Sequence, residues 1–179
     1  MNLFILRHAS AGVRRANPVI DVKRPLDKDG KQQCVLIGNL LNALNVQFDL
    51  VISSPLKRAV QTAAFVANEV AYDAKIRLSS ALAPTATVTE FRSLLSELNG
   101  YENVLVVGHN PNLTTFLGSL ISQSGRVAAI RLRKGAIARL DVTRNPASLQ
   151  WMVDARIVRS LGKAYTSSTK RSRRKTSRK

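Results

Sequence analysis

The sequence predicts an α/β fold: a three-layer arrangement with a mostly parallel sheet, helices on both of its faces and an antiparallel edge. Short apolar runs alternate with helical patterns along most of the chain. Two of those runs, Leu3-Phe4-Ile5-Leu6 and Val104-Leu105-Val106-Val107, are apolar at every position, as strands covered on both faces must be. Each leads into one of the chain's two histidines, His8 and His109. In an open α/β sheet the ligand site lies outside the carboxyl ends of the strands, so two strand-end histidines about 100 residues apart can meet in one pocket.

The elements follow in order. Residues 2–6 read as the first strand. Asp27 to Leu44 carries Val35, Leu36, Leu40, Leu41 and Leu44 at helical spacing, and Asp49 to Ile52 reads as a second strand. Ser54 as cap and Pro55 in the first helical position predict a helix from Pro55 to about Val70. Lys75 to Leu78 is a short edge strand, Thr87 to Leu98 a helix, Asn103 to Val107 the third buried strand, and Asn110 or Pro111 to about Ile121 a helix. Ala136 to Val142 and Gln150 to Val158 then pair around Arg144-Asn145-Pro146 and supply the antiparallel edge.

A chain of 179 residues, 45% hydrophobic, is the size of one ordinary domain and can bury a core without disulfides. The boundaries expected are one domain over 1–162 and a basic tail over 163–179. Of the formal charge of +17, eight units lie after Gly162, which leaves +9 for the body. With mostly Lys, Arg, Ser and Thr, the tail holds too little apolar surface to offset the entropy of ordering and reads as disordered. Such a tail can contact a polyanion or simply aid solubility. Cys34, the single cysteine, sits in an apolar helical stretch and reads as a small core side chain. No run approaches the roughly 20 apolar residues that cross a bilayer, and Leu3 to Leu6 is too short for a signal-peptide core, so a cytoplasmic protein without membrane insertion is expected.

Arg7-His8 follows the first strand, Arg58 lies in the first turn after Ser54-Pro55, and Gly108-His109-Asn110-Pro111 joins the third strand to its helix. All face one rim. Two guanidinium forks and the helix N-termini after Ser54 and Asn110 suit phosphate oxygens. Binding alone would not require histidines, whereas phosphoryl transfer can use one as a nucleophile when its attacking nitrogen is unprotonated and the other is fixed by a hydrogen bond. His8 takes that role; His109 then donates to the equatorial oxygens and shares the transition-state charge with Arg7 and Arg58. Arg24 either lines the entrance or pairs with Asp21 or Asp27, and Ser10, Arg14 and Asn17 lie within possible reach of a phosphate. With two histidines, one cysteine and no zinc-binding spacing, neither a metal nor another cofactor is expected.

Leu6-Arg7-His8-Ala9 resembles the Arg-His-Gly signature of the histidine phosphatase superfamily, whose fold is called phosphoglycerate mutase-like. Ser54-Pro55-Leu56-Lys57-Arg58-Ala59-Val60-Gln61-Thr62 resembles its second-arginine motif, and Gly108-His109-Asn110 its second-histidine motif. Arg24-Pro25-Leu26-Asp27 with Gly30, and the short length, are similar to the compact SixA-type phosphohistidine phosphatases. The resemblance spans residues 1 to 158. It implies His8 as the phosphorylated nucleophile, with Arg7, Arg58 and His109 as the phosphate pocket. Arg24 and Asn110 are expected as further substrate-binding residues. It departs at Ala9, where many members have glycine.

Larger members use a carboxylate as general acid for an alcohol leaving group; no convincing equivalent is present, and Glu90 is the nearest candidate by position. Thr87-Val88-Thr89-Glu90 reads instead as a capping box, which would engage Glu90 with the helix start. Without an acid, cleavage of alkyl phosphates is slow, whereas phosphohistidine releases an imidazole of pKa about 6.5 that needs little help. The function expected is metal-independent hydrolysis of phosphohistidine on a carrier protein, such as a histidine-containing phosphorelay domain in signal transduction. The alternatives are a small-molecule phosphomonoesterase and a non-catalytic polyanion-binding protein.

Overall fold

The computed structural model describes residues 1–123 and 128–162, and the predicted basic tail lies outside the described residues. The chain runs β1 (Asn2–Arg7), α1 (Pro18–Val22), α2 (Lys28–Ala43), β2 (Leu50–Ser53), α3 (Lys57–Glu69), β3 (Arg77–Leu78), α4 (Val88–Ser96), β4 (Asn103–Gly108), α5 (Asn112–Ile121), β5 (Ala136–Asp141) and β6 (Ser148–Asp154). A single 3₁₀ turn occupies Ser80–Leu82. Six strands form one sheet in the order β3-β2-β4-β1-β5-β6. β3, β2, β4 and β1 are mutually parallel, while β5 and β6 form the antiparallel edge.

Successive side chains of a strand point to opposite faces, and the core divides accordingly. Leu3, Ile5, Ile52, Val104 and Val106 join α4 and α5 on one face. Phe4, Leu6, Val51, Leu105 and Val107 join α2 and α3 on the other. That is why these strands are apolar without alternation, and it yields the three layers predicted. Full burial of each such Leu, Ile or Phe contributes about 1.5–3 kcal/mol, so β1 and β4 form a firm base for whatever their carboxyl ends carry.

The main departures from the sequence reading are two boundaries and one helix. The helix expected from Pro55 begins at Lys57, with Leu56 as its cap residue and no side-chain cap. Ser54 Oγ accepts from Leu56 N–H at 3.4 Å and lies closer, at 2.8 Å, to a histidine nitrogen. α1 was not expected; Asn17 caps it by accepting from Val19 N–H, with proline at its start. It buries no residue, and so leaves no apolar periodicity in the sequence. Finally, the strand expected over Gln150 to Val158 ends at Asp154, and residues 155–162 are helical. Asp154 Oδ1 accepts from the backbone N–H groups of Arg156 and Ile157, which turns the chain into that helix. No helix among the described residues is long and apolar enough to cross a membrane.

Candidate active site

Register brings the site together. Parallel pairing sets Arg7 opposite Gly108, so the next residues of the two strands, His8 and His109, emerge side by side. The ladder extends one step further, His8 N–H donating to Gly108 O at 3.0 Å, and the ring centroids stand 4.9 Å apart. β2 pairs Ser53 with Val107, and Ser54 N–H donates to Val107 O at 2.9 Å, which lays Ser54 against the same turn. Ser54 Oγ lies 2.8 Å from His109 Nε2.

The histidines are 6% and 2% exposed, and each makes one side-chain hydrogen bond among the described residues. His8 Nδ1 stands 2.8 Å from Ala9 O. A carbonyl only accepts, so Nδ1 carries the proton and Nε2 keeps a lone pair. Burial lowers the His8 pKa to about 3, helped by the positive fields of Arg58, Arg7 and Lys134, although the Ala9 carbonyl pulls the other way. Burial likewise lowers His109 to about 2, with His8, Arg58, Arg7 and Arg24 adding to it. Both imidazoles are therefore neutral at neutral pH.

Two guanidinium groups flank them. Arg7 donates to Leu132 O at 3.0 Å, and Arg58, 6% exposed, donates to Asp21 O at 3.0 Å with the Asp21 carboxylate 3.4 Å away. Burial lowers both below the ordinary guanidinium value, yet arginine starts so far above neutral that both stay charged. Arg7 Nε, Arg58 Nε and His109 Nδ1 are shut off from water and have no partner among the described residues. Buried polar nitrogens are seldom left so, and beside two neutral imidazoles that feel both guanidinium charges they suit a tetrahedral oxyanion.

The turn after β1 is pinned by the Arg24-to-Gly30 segment. Asp27 accepts from Ser10 Oγ at 2.8 Å and Gly12 N–H at 2.6 Å through Oδ2, and its other oxygen caps α2 at Gly30 N–H. A Cβ on Gly30 would come within 1.9 Å of Ser10 O, so only glycine admits that carbonyl. Ala9 N–H donates to Thr62 Oγ1, which itself donates to Arg58 O, joining the turn to α3. The alanine in place of the common glycine is accommodated, buried at 1% exposure.

Arg7, His8, Arg58 and His109 are thus brought together as the sequence predicted. Arg24 does pair with Asp21, at 2.8 Å, and also donates to Ala11 O and Gly12 O, so it braces the loop. Arg15 N–H and Arg24 hold the Asp21 carboxyl at a pKa of about 2. Ser10 is engaged with Asp27 and Asn17 with its cap. Asn110 donates to Leu132 O, which leaves its Oδ1 a buried acceptor without a partner among the described residues. Glu90 is held in the capping box by Thr87. Sequence reasoning named Asp21 only as a partner for Arg24 and missed its contact with Arg58, the bonds of Thr62 and the pairing of Ser54 with His109; of these, only Thr62, one helical turn beyond Arg58, left a signal in the spacing. Cys34 is buried, and burial pushes its thiol up to about 12. Among the described residues no group of three or more His, Cys, Asp or Glu is arranged to hold a metal ion.

The sequence signature of the histidine phosphatase superfamily (branch 1) matches residues 3–84. Phosphohistidine phosphatase SixA of Escherichia coli (strain K12) is 31% identical over 113 residues, 62% of this chain and 68% of that protein. The structure of the protein histidine phosphatase SixA complexed with tungstate superposes with a TM-score of 0.77 at 26% identity, covering 87% of this chain and 97% of that one. The alpha-ribazole phosphatase of Shigella flexneri shares the fold, with a TM-score of 0.69 at 20% identity over 87% of this chain and 97% of its own. With its site assembled from the same strand ends that carry the matching motifs, the chain belongs to the histidine phosphatase superfamily, as a phosphatase of the SixA type.

Proposed function

We propose that this phosphatase removes phosphate from phosphohistidine on a protein, without a metal, through a phosphohistidine intermediate on His8. The observation that carries the reading is the fixed tautomer of His8, with Nδ1–H given to Ala9 O and Nε2 left with its lone pair in the field of Arg58 and Arg7. Nε2 attacks phosphorus, and the P–N bond of the substrate breaks as its ring, protonated from solvent on the other nitrogen, departs as neutral imidazole. Phospho-His8 carries positive charge on its ring, which the Ala9 carbonyl stabilises. Arg7, Arg58 and His109 spread the charge of the equatorial oxygens. For His109 this requires the proton on Nδ1, which follows if Ser54 Oγ–H donates to Nε2. Water then cleaves the P–N bond to His8, releasing inorganic phosphate and restoring the neutral imidazole.

Substrate choice rests on the leaving group. Among the described residues no carboxylate hydrogen-bonds or ion-pairs with either histidine, and Glu90 is occupied at the start of α4. An imidazole of pKa about 6.5 departs without a strong acid, whereas an alkoxide does not. The similarity to a phosphohistidine phosphatase of Escherichia coli supports the same choice. The test is phosphate release from a phosphohistidine-bearing protein, sugar phosphates and an aryl phosphate, by wild type and by His8→Ala. We expect fastest turnover on the phosphohistidine protein, acid-labile label on His8, and no turnover by a folded His8→Ala protein. Unchanged activity in that variant would overturn the mechanism; faster turnover of sugar phosphates would overturn the substrate.

A further inference from the structure

Beside the histidines lies an open cavity of about 610 Å³ that reaches the site through Arg7 and Asn110. Its other charged lining is Arg131, Arg133, Lys134 and Arg156, and no carboxylate lines it. Resting on the reading above, we propose that this trough docks the acidic surface around the phosphohistidine of a protein substrate, its cations pairing with carboxylates of the partner.

The segment that carries these cations is built onto the catalytic turn. Leu132 O accepts from both Arg7 and Asn110, and Gly135 N–H donates to Arg7 O and His8 O at 3.2 and 3.3 Å. With Leu132 buried, Arg131 and Arg133 stand on either side of it, at a fixed offset from His8. Few of the charges are neutralised internally. Arg131 and Lys134 are exposed and make no ion pair among the described residues. Arg133 comes only within 3.8 Å of Asp154, which Arg156 already holds at 2.9 Å. Across the site the contrast is plain, since Arg24 and Arg58 share Asp21.

The spread of the charges favours a protein over a small second anion. A small-molecule subsite converges a few buried donors on one point, whereas Arg131, Lys134 and Arg156 are exposed and Arg133 half-buried, their charges on long side chains along a rim. Such a rim acts chiefly on encounter rate and orientation and is screened by salt. It therefore enters KM on a protein and leaves the chemistry at His8 alone.

The experiment compares wild type, Arg131→Glu and Arg131→Lys on two probes: a net-acidic histidine-containing phosphotransfer domain phosphorylated on its histidine, and free phosphohistidine. At low salt, Arg131→Glu should lower kcat/KM on the domain by roughly 10-fold, through KM, with the gap closing to about 2-fold near 0.5 M salt. Free phosphohistidine should be turned over within about 2-fold of wild type, and Arg131→Lys should retain wild-type behaviour on both probes. Equal loss on both probes overturns the proposal, because the residue would then act at the phosphoryl group or on the fold. Wild-type kinetics of Arg131→Glu on the domain overturn it too, while leaving the substrate reading intact. If wild type cleaves free phosphohistidine but not the domain, both fall together.

Discussion

The turns after β1 and β4 each end a buried strand in a buried neutral histidine, but they treat that histidine differently. After β1, Ala9, Ser10 and Gly12 are held by Thr62, Asp27 and Gln33, and the His8 ring is tied to a backbone carbonyl that can only accept. After β4, His109 meets a hydroxyl, which can donate or accept, and its other nitrogen is buried without a partner among the described residues. One tautomer is fixed by its surroundings and the other is adjustable. A nucleophile needs the first arrangement, since its lone pair must face phosphorus before the substrate arrives; a donor that answers changing oxygen charge can use the second.

If that division holds, the variants separate. His8→Ala should lower turnover by about 10⁴-fold or more and abolish acid-labile labelling. His109→Ala should cost about 10²–10³-fold, the scale of one transition-state donor, and still become labelled, slowly, on His8. Rapid-quench measurement of labelled protein decides between them. Loss of labelling in both would make the two histidines one inseparable unit.

The comparison is sharpened by pH. Unfolded histidine takes up a proton near 6.5, whereas His8 and His109 in the folded protein do so only near 3 and 2. Between those values the unfolded chain binds more protons, so stability rises with pH and is lost as pH falls below 6.5, by up to about 1.4 kcal/mol per pH unit for each histidine. Asp21, depressed to about 2, acts in the same direction but only below its ordinary value of 3.8. Urea unfolding between pH 4.5 and 7.5 should give this slope in wild type, about half of it in His109→Gln, and less of it with saturating phosphate, which favours the charged rings. A flat profile would mean that the imidazoles take up their protons at the same pH in the folded and the unfolded chain.

How much of this could be read from the residues depended on whether the cause was local. β1 and β4 announced themselves because burial on both faces demands unbroken apolar runs, and their ends delivered His8 and His109 to the correct rim. Thr87 and Glu90 were readable as a cap because both partners lie within one turn. By contrast, Ser54 looked like a helix cap until β2 was set beside β4, whereupon His109 competed for its hydroxyl. Gly30 owes its identity to Ser10 O, twenty positions earlier in the chain, and no spacing encodes a backbone carbonyl. The carbonyl of Leu132, which orients both Arg7 and Asn110, is invisible for the same reason.

The smallest effect expected belongs to Glu90, and it is informative because two roles predict different observables. Its Oε2 accepts from Thr87 N–H at 2.7 Å and from Thr87 Oγ1 at 2.8 Å, while Thr87 Oγ1 accepts from Glu90 N–H. These bonds hold the Glu90 carboxyl below the ordinary carboxylate value. A general acid needs the reverse, a carboxyl that keeps its proton near neutral pH. Glu90→Ala should therefore lower stability slightly through the loss of half a capping box, and leave turnover of phosphohistidine and aryl phosphate unchanged. A general acid removed would instead cost about 10²–10⁴-fold on the phosphate ester alone, with stability untouched. Parallel denaturation and kinetics on that one variant tell a helix cap from a proton donor.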